Sequence, residues 1–370
     1  MQHNHPVSYA VTSVFNYPFH TEDIHRIAPL GFVPVAIHFR LFDILVEVGG
    51  PASGQDVLDI YQKSPSDSTT NGPRSANQTT RYLASTPSAI HGVLHFTTEI
   101  LLSSAFLMRK LEATGFDYPF TELDIPMQYA HHLMENEKLT KLYTYAIMAA
   151  ENRMASFNTF MEGRFGKEPT APEHLKAVGY DLESVVAEAR AMGLPVTMVD
   201  IGGGRGQLMR EIKESIPGLE SQDLIVEEFI QDITSISGLT LVEWDYTKED
   251  NPQPIQGALF YRLASVLHNL PDLAAARLLQ KMSDAMEPHS RIMIHERRKH
   301  AMADAHAAMI VLYEGREGSI DEWHLLAKLA RLKLTFLGYP SGPERGAVEM
   351  RKIDWLEHIL TQCARIMRQY

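Results

Sequence analysis

The chain has 370 residues, of which 45% are hydrophobic and 22% are charged, as in an ordinary soluble globular protein. Its formal net charge of -12 provides no basic surface for a nucleic-acid backbone, so we expect no nucleic-acid partner and a small molecule or another protein instead. The single cysteine, Cys363, excludes an intramolecular disulfide and a zinc cluster built on cysteines.

The first residues, MQHNHPVSYA, have neither the charged start nor the apolar core of a signal peptide. No apolar run approaches the ~20 residues of a membrane span, so we predict a cytoplasmic protein without a membrane partner. The 17 histidines include no H-E-x-x-H or similar pair at metal-ligand spacing, and we therefore predict no metal site.

Apolar residues recur at steps of three and four through much of residues 21–160, which predicts mainly helical structure for residues 1–165. The predicted helices cover 34–48, 54–63, 79–85, 97–114 and much of 126–160, with a polar surface loop at 64–79. Several of these helices are apolar on most faces, and such helices are usually buried, often in an intertwined dimer. We therefore predict that residues 1–165 form a helical dimerisation and substrate-lid domain of a homodimer.

A glycine-rich stretch, VTMVDIGGGRG at 196–206, follows a predicted helix at 173–193. A short β-prone run ends at Asp200, and an amphipathic helix follows the turn. Glycine suits a turn in which φ is positive or a ligand lies against bare backbone. A glycine turn without any ligand is the alternative. The four glycines of the turn are Gly202, Gly203, Gly204 and Gly206.

The spacing of these glycines narrows the choice of ligand. Dinucleotide-binding folds use G-x-G-x-x-G, so that the pyrophosphate meets a helix N-terminus. This chain has D-x-G-x-G-x-G, with Asp200 one residue before the loop. An acid at that place disfavours a phosphate and suits a ligand with an ammonium or sulfonium group. The pattern resembles motif I of the class I S-adenosylmethionine (SAM) methyltransferases, which implies SAM as the cofactor.

Beyond the glycines, predicted strands alternate with predicted helices, which indicates a parallel, doubly wound α/β sheet in residues 166–370. The strands are predicted at 223–228, 239–244, 258–266, 291–296 and 333–339. The helices are predicted at 229–236, 272–286 and 321–331, with a last helix from 353 to the end of the chain.

Ligands of doubly wound sheets bind beyond the carboxyl ends of the strands. Glu228 follows the glycine loop by about the 20 residues at which an acid holds a ribose diol, although a surface glutamate is the alternative. Asp245 can accept from an adenine amine, and the Tyr246 ring can stack on the base. His268 can take a proton at working pH, the alternative being an ordinary loop histidine.

Six segments, VDIGGGRG, LIVEE, WDYTKED, ALFYRLASVLHNLPD, RIMIHERR and EGREGSIDEW, together resemble the caffeate-type O-methyltransferase family of plants and fungi. The resemblance implies a Rossmann-like class I methyltransferase domain preceded by an all-α, winged-helix-like dimerisation domain. It implies SAM on the glycine loop, with Glu228 on the ribose and Asp245 and Tyr246 on the adenine. It also implies His268 as the base that removes a phenol or enol proton. The acids that would orient this base are Glu296 and Glu317.

The chain also departs from the pattern of that family. Asn269 and Leu270 follow the histidine, where the family normally has aspartate and tryptophan. Ala264 stands four positions before the histidine, where the family usually has a basic residue, and Arg262 is the nearest replacement. These departures bear on whether the methyl group is transferred.

The sequence therefore predicts a SAM-dependent O-methyltransferase that acts on a hydroxyl of a small secondary metabolite. The alternative is a SAM-binding pericyclase or cyclase, because some fungal proteins that resemble this family bind SAM without consuming it. A SAM-binding regulatory protein is a third, less favoured possibility. In a pericyclase, His268, Arg297, Arg298, His131 or His132 would donate to the substrate, since oriented donors stabilise developing charge. The candidate substrate-binding residues are His131, His132, Asn269, Met309 and Tyr313.

Overall fold

The computed structural model describes residues 37–38, 40–50, 56, 59–60, 78–117, 120–121, 123–165, 169–229, 235–299, 303–313, 315, 318–342 and 344–353. Contacts divide them into two compact units. The first comprises the described residues up to Ala113 together with 126–165, and the second comprises Thr114–Ile125 and the described residues from 169 onward. The sequence had assigned Thr114–Ile125 to the first domain.

The first unit is built from helices in all its described parts, as the apolar periodicity predicts. Its elements are α1 (Leu41–Val48), α2 (Gln78–Ser85), α3 (Pro87–His95), a π-helical turn (Phe96–Ile100), α4 (Leu101–Ala113), α5 (Pro126–Leu133), α6 (Thr144–Ala150) and α7 (Met154–Phe165).

One long helix runs through α3, the π-helical turn and α4. It begins ten residues before the predicted start, because Pro87 occupies the first turn, where its fixed φ favours helix. The helix packs closely on α7, since a Cβ added at Gly92 would lie 2.8 Å from the ring of Phe160. Pro87–Ala113 is long and apolar enough to cross a membrane, and 22% of its most apolar window is buried. Core helices of globular proteins pass the same test.

Two helices precede the sheet of the second unit, where the sequence predicted a single one. They are α8 (Ala171–Ala177) and α9 (Leu182–Ala191). The break falls at Gly179, whose φ of 85° is a left-handed value that ends α8. Asp181 then caps α9, because its side chain accepts from the backbone N–H of Ser184 at 2.9 Å.

A seven-stranded sheet forms the centre of the second unit, in the order β3-β2-β1-β4-β5-β7-β6. The elements are β1 (Met198–Ile201), α10 (Gln207–Ser215), β2 (Leu224–Glu228), β3 (Thr240–Glu243), β4 (Phe260–Ala264), α11 (Asp272–Ala285), β5 (Arg291–His295), α12 (Ala303–Tyr313), α13 (Ile320–Leu329), β6 (Leu332–Gly338) and β7 (Ala347–Lys352). Strands β1 to β5 pair in parallel, and β7 pairs antiparallel with both β5 and β6.

The predicted α/β fold is confirmed, and the strand order explains where a ligand can bind. The chain moves outward in one direction from β1 through β2 to β3 and then returns to place β4 on the other side of β1. In such a sheet the loops after β1 and β4 diverge at the carboxyl edge and leave a crevice. Strand β7 was not predicted.

Apolar side chains cover both faces of the sheet, as is usual for parallel strands. On one face Tyr261, Leu263 and Ile294 pack with Trp323 of α13. On the other face Phe260 and Met293 pack with residues of α8, α9 and α10. The predicted arm at 1–20, the predicted helices at 229–236 and from 353 onward, and most of the loop at 64–79 lie wholly or mainly outside the described residues.

Candidate active site

The glycine loop lies at the crevice between β1 and β4. Gly202, Gly204 and Gly206 have φ values of 65°, 55° and 70°, which is the left-handed region that glycine adopts without strain. The backbone N–H of Gly202 donates to the carbonyl of Glu227 at 2.8 Å. A Cβ added at Gly202 would lie 3.1 Å from Val266, so the loop touches the turn that follows β4.

The glycines serve two different purposes. A Cβ at Gly203 would lie 2.9 Å from an oxygen of Asp200, and one at Gly206 would lie 2.6 Å from Leu239. These two positions are filled by protein, so packing requires glycine there. A Cβ at Gly204 would meet no atom of the described residues within 4 Å. Gly204 therefore presents bare backbone to open space, which fits a cofactor that lies against the loop.

Glu228, at the carboxyl end of β2, binds directly to this loop. The backbone N–H of Gly204 donates to its Oε2 at 2.8 Å, and the N–H of Phe229 donates to its Oε1 at 3.1 Å. Burial raises the pKa of Glu228, while both hydrogen bonds favour the carboxylate. The structure thus brings together the glycines and the acid that the sequence assigned to the ribose.

Asp245 and Tyr246 follow β3 at the same edge. The backbone N–H of Trp244 donates to the carbonyl of Glu228 at 3.0 Å, which places this segment beside Glu228. Oδ1 of Asp245 accepts from the backbone N–H and the hydroxyl of Thr247 at 3.1 and 2.5 Å. The Tyr246 ring meets Trp244 edge to face and is half-buried. Both residues are fixed by local contacts before any ligand is considered.

Asp200, which the sequence assigned to the cofactor, lies inside the sheet and is bonded to Arg262. Asp200 is a residue of β1 and is 1% exposed. Its Oδ1 accepts from Nη1 of Arg262 at 3.1 Å, and its Oδ2 lies directly below Gly203. Burial raises the pKa of Asp200, and Arg262 opposes that shift. Asp200 acts on the loop from within the sheet, which a spacing pattern does not reveal.

His268 and Glu296 meet at the turn after β4, as the resemblance implied. Nδ1 of His268 lies 3.2 Å from Oε2 of Glu296. Oε1 of Glu296 accepts from the backbone N–H groups of Val266 and Leu267, both at 3.0 Å, and of His268 at 3.4 Å. One buried carboxylate therefore holds both the backbone of the turn and the histidine ring.

The turn contains one residue in a strained backbone conformation, and two hydrogen bonds stabilise that conformation. Ser265, between β4 and His268, has a φ of 57°, an unusual value for a residue other than glycine. Its carbonyl accepts from the amide of Asn269 at 3.1 Å, and its N–H donates to the carbonyl of His295 at 3.1 Å. An aspartate at 269 lacks that N–H donor, so the departure from the family pattern has a local structural role.

The end of α12 lies against the same turn. A Cβ added at Gly315 would lie 1.8 Å from the carbonyl oxygen of His268, so only glycine permits this approach. Tyr313 on α12 is buried and Met309 is half-buried, and α12 contacts the turn that contains His268. Glu317 lies outside the described residues.

The two histidines of α5 differ from each other. His132 is exposed, and its Nδ1 lies 3.0 Å from Oε1 of Glu137. His131 is 3% exposed, and burial lowers its pKa. His132 therefore lies on a solvated face of the helix, whereas His131 does not. Arg297 and Arg298 follow β5. Their backbones form isolated β-bridges with Arg345 and Gly318, respectively.

Sequence reasoning missed the partner of Asp200. Arg262 was noted only as a replacement for a missing basic residue, yet it is 3% exposed and bonded on both sides. The available signal was an arginine in the middle of an otherwise apolar strand, FYRLA, where burial requires an acidic partner. The importance of Gly315 had no such signal, because the chain segment it touches is 47 positions away in sequence.

The sequence of this chain matches known proteins over most of its length. A profile of the O-methyltransferase domain matches residues 181–332. The O-methyltransferase bfoE of Aspergillus brasiliensis is 42% identical over 348 residues, a match that covers 88% of this chain and 93% of the relative.

Solved structures share the fold at lower identity. LepI in complex with SAM has a TM-score of 0.71 at 20% identity, covering 94% of this chain and 93% of its own. OxaC in complex with SAH and oxaline has a TM-score of 0.73 at 19% identity, covering 94% and 88%. A pericyclic reaction enzyme has a TM-score of 0.71 at 20% identity, covering 94% and 93%. At these identities the likeness shows the fold.

Proposed function

The chain belongs to the O-methyltransferase family that includes bfoE, and from this premise we propose that His268 is the general base for methylation of a hydroxyl on a small secondary metabolite. The chain is a SAM-dependent O-methyltransferase. When bound, SAM supplies an electrophilic methyl group on its sulfonium. The proposal concerns the residues that bind the cofactor, remove the proton and select the acceptor.

We assign cofactor binding to the carboxyl edge of β1, β2 and β3. Gly204 offers bare backbone, with Gly202, Gly203 and Gly206 shaping the loop. Glu228 is bonded to the N–H of Gly204 at 2.8 Å, so its carboxylate lies within reach of a ribose diol on the loop. Asp245 and Tyr246 lie on the adenine side. These assignments rest on the geometry of the edge and on the family.

We assign the proton transfer to Nε2 of His268. The carboxylate of Glu296 lies 3.2 Å from Nδ1 and favours a ring proton on that nitrogen. Nε2 is then the nitrogen that accepts the proton of the substrate hydroxyl. The carboxylate also stabilises the imidazolium that forms, because an opposite charge within hydrogen-bond reach favours the charged ring. Glu317 completes the pair of acids in this proposal.

The single observation that carries the proposal is the double role of Glu296. Its Oε1 accepts from three backbone N–H groups of the turn, while its Oε2 lies 3.2 Å from Nδ1 of the ring. Burying a carboxylate is costly unless it is bonded in this way. A loop histidine without a catalytic role needs no such support.

Measurement of SAH release during turnover tests the proposal directly. The purified chain is incubated with SAM and a panel of phenolic and enolic metabolites, and S-adenosylhomocysteine (SAH) is quantified against the methylated product. We expect one SAH per product, and a loss of about 10³-fold in His268→Ala, the usual range for removing a general base. His324→Ala, which changes an exposed histidine of α13, serves as the control for general damage.

The second candidate function is a pericyclase or cyclase. The observation that favours it is the fold shared with a pericyclic reaction enzyme at a TM-score of 0.71, together with Asn269 after the histidine. In that case His131, Asn269, Met309 or Tyr313 would contact the substrate, and Arg297 or Arg298 would donate to it. Product that forms while SAM stays intact, with no SAH, would support this function and rule out methyl transfer.

We also propose that the first unit forms a homodimer. Several large apolar side chains of that unit are exposed in the single chain. Such patches usually mark an interaction surface. Sedimentation of a clean monomer at micromolar concentration would contradict the dimer. The exposed side chains are Tyr82, Phe96, Met108, Leu133 and Met134.

A further inference from the structure

One row of residues crosses the sheet from β1 to β7. The strand register pairs Asp200 with Arg262, Arg262 with Met293, and Met293 with Glu349. Paired residues of neighbouring strands point to the same face of a sheet. Two buried carboxylates, Asp200 and Glu349, therefore share one face and are separated only by Arg262 and Met293.

The first carboxylate belongs to what we call the Arg262 cluster, formed by Asp200, Arg262 and His295. Arg262 donates from Nη1 to Asp200 at 3.1 Å and from Nη2 to Nδ1 of His295 at 3.0 Å. All three side chains are at most 3% exposed. Burial lowers the pKa of His295 well below its usual value, and the neighbouring arginines add to that shift. His295 is thus a neutral acceptor for Arg262.

The second carboxylate belongs to the Arg291 cluster, formed by Glu349, Arg291, Tyr180 and Thr335. Oε2 of Glu349 accepts from Tyr180 at 2.5 Å and from Arg291 at 3.1 Å, and Oε1 accepts from Thr335 at 2.6 Å. Both oxygens are satisfied by side chains. This arrangement is what a buried ion pair needs in order to stabilise a fold.

The Arg262 cluster differs from the Arg291 cluster, because one carboxylate oxygen of Asp200, the one next to the glycine loop, accepts no hydrogen bond from the described residues. Oδ2 of Asp200 has no hydrogen-bond partner among the described residues, and it lies 2.9 Å from the position of a Cβ at Gly203. Oδ2 of Asp200 therefore occupies the space beside Gly203 that a side chain at that position would need. Arg262 supplies the hydrogen bond that fixes where the carboxylate sits.

We propose that Arg262 is a positioning residue for the SAM loop, acting through Asp200 on Gly203. The hydrogen bond from Arg262 fixes the position of the Asp200 carboxylate next to Gly203. That position in turn determines the backbone conformation of the loop at Gly204. Through His295 the same guanidinium reaches the residue that precedes Glu296, so it links the strand of the cofactor loop to the strand of the acid beneath His268. This inference rests on the proposed function for its catalytic side and on the cofactor alone for its binding side.

The physical reason is the cost of an unpaired buried charge. Without Arg262 the buried carboxylate of Asp200 loses the guanidinium that donates to its Oδ1, and it must take up a proton or move. Either change alters the packing next to Gly203, where there is no room even for a Cβ. A neutral pair of the same shape avoids this cost, because no charge is then left behind.

The test compares two pairs of substitutions in the full-length protein by titration with SAH. We expect Arg262→Met to weaken SAH binding by about tenfold or more, within the usual range of coupling between linked sites. The double variant Asp200→Asn with Arg262→Met should recover much of that affinity. The matched control is Arg291→Met, alone and with Glu349→Gln, which removes a second arginine–carboxylate pair from the same face. We expect the control to lower thermal stability and to leave SAH affinity unchanged.

Other outcomes would overturn the inference. These are an SAH affinity within twofold of wild type in a folded Arg262→Met protein, or equal weakening by Arg291→Met. If Arg262→Met does not fold, Arg262→Lys replaces it, since lysine keeps the charge but cannot bond Asp200 and His295 together. We then expect an intermediate loss, and wild-type affinity in Arg262→Lys would refute the inference. SAH affinity that depends on Arg262 in a protein without methyl transfer would sink the proposed function and leave this inference standing.

Discussion

Carboxylates accept hydrogen bonds both at the carboxyl edge of the sheet and in the Arg291 cluster, but they serve different purposes in the two regions. At the edge, the carboxylates of Glu228 and Glu296 hold backbone N–H groups of turns. In the Arg291 cluster, the carboxylate of Glu349 holds three side chains and no turn. Carboxylates at the edge therefore shape loops for a ligand, whereas Glu349 joins elements of the core. Changes at the edge should alter function, and changes in the cluster should alter stability.

The largest expected effect is at Gly204. A valine there adds bulk on the open side of the loop and strains a φ of 55°, so we expect SAH binding by Gly204→Val to fall below detection in calorimetry. Gly193→Val is the control, because Gly193 has a φ of 68° and equally open surroundings but follows α9. Retained binding in Gly204→Val would refute the assignment of the loop.

The second effect is at Glu296. Glutamine can still accept from the turn but no longer offers His268 a charged partner, so we expect kcat of Glu296→Gln to fall by about 10²-fold, within the range of general-base catalysis. The SAH dissociation constant should stay within twofold of wild type. An equal loss of SAH affinity and kcat would mean that Glu296 serves the whole edge and not the base. Progress curves and titration on one preparation separate the two.

The third effect concerns Glu227, a buried residue of β2 next to Glu228. Its carboxyl is 1% exposed and accepts from the amide of Gln253 at 2.8 Å, and burial raises its pKa to about 8. The protonated form favours the folded state, so this stabilisation is complete below the unfolded pKa near 4.5 and is lost as the pH rises through 8. The loss approaches about 1.4 kcal/mol per pH unit.

Glu227→Gln should remove that pH dependence. We expect the variant to gain stability over wild type between pH 6 and pH 8 in urea unfolding and to match it near pH 4.5. Glu243→Gln, an exposed carboxyl on the neighbouring strand β3, is the control and should leave the pH slope as it is. A wild-type slope in Glu227→Gln would show that this carboxyl is ionised when folded.

The smallest effect is in the Arg291 cluster. Tyr180→Phe removes one hydrogen bond to Glu349, which keeps Arg291 and Thr335 as partners. We expect a loss of about 1 kcal/mol in the free energy of unfolding, with kcat and the SAH affinity unchanged. A fall in kcat without a fall in stability would break the division between the two regions.

The sequence predicted the elements of the sheet better than their boundaries or their edge. Periodicity and the glycine motif located β1 to β6, and the parallel strands among them were easy to find because buried parallel strands are continuous apolar runs. It missed β7, whose AVEMRK carries three charged residues. It also joined α8 to α9, because the apolar spacing continues across Gly179 and hides the break.

For the site, pairs joined by a motif were predictable and pairs joined by packing were not. His268 and Glu296 were predicted together from the resemblance, and the structure brings them together. Asp200 was assigned to the ligand because it precedes the glycines, whereas strand register turns its side chain to Arg262. The spacing of residues along the chain predicts which residues lie near the loop. Only the register of the strands shows which of them point to the same face of the sheet.

The sequence by itself determined the cofactor, the fold class and the family. These depend on local patterns: four glycines in five residues, strands alternating with helices, and six segments in order. Only the tertiary structure decided that Gly204 is open while Gly203 is filled, that Asp200 lies beneath the loop, and that Arg262 joins β1 to β5. The physical reason is that burial and hydrogen bonding are set by neighbours distant in sequence, so a residue's role depends on side chains that its local pattern does not contain.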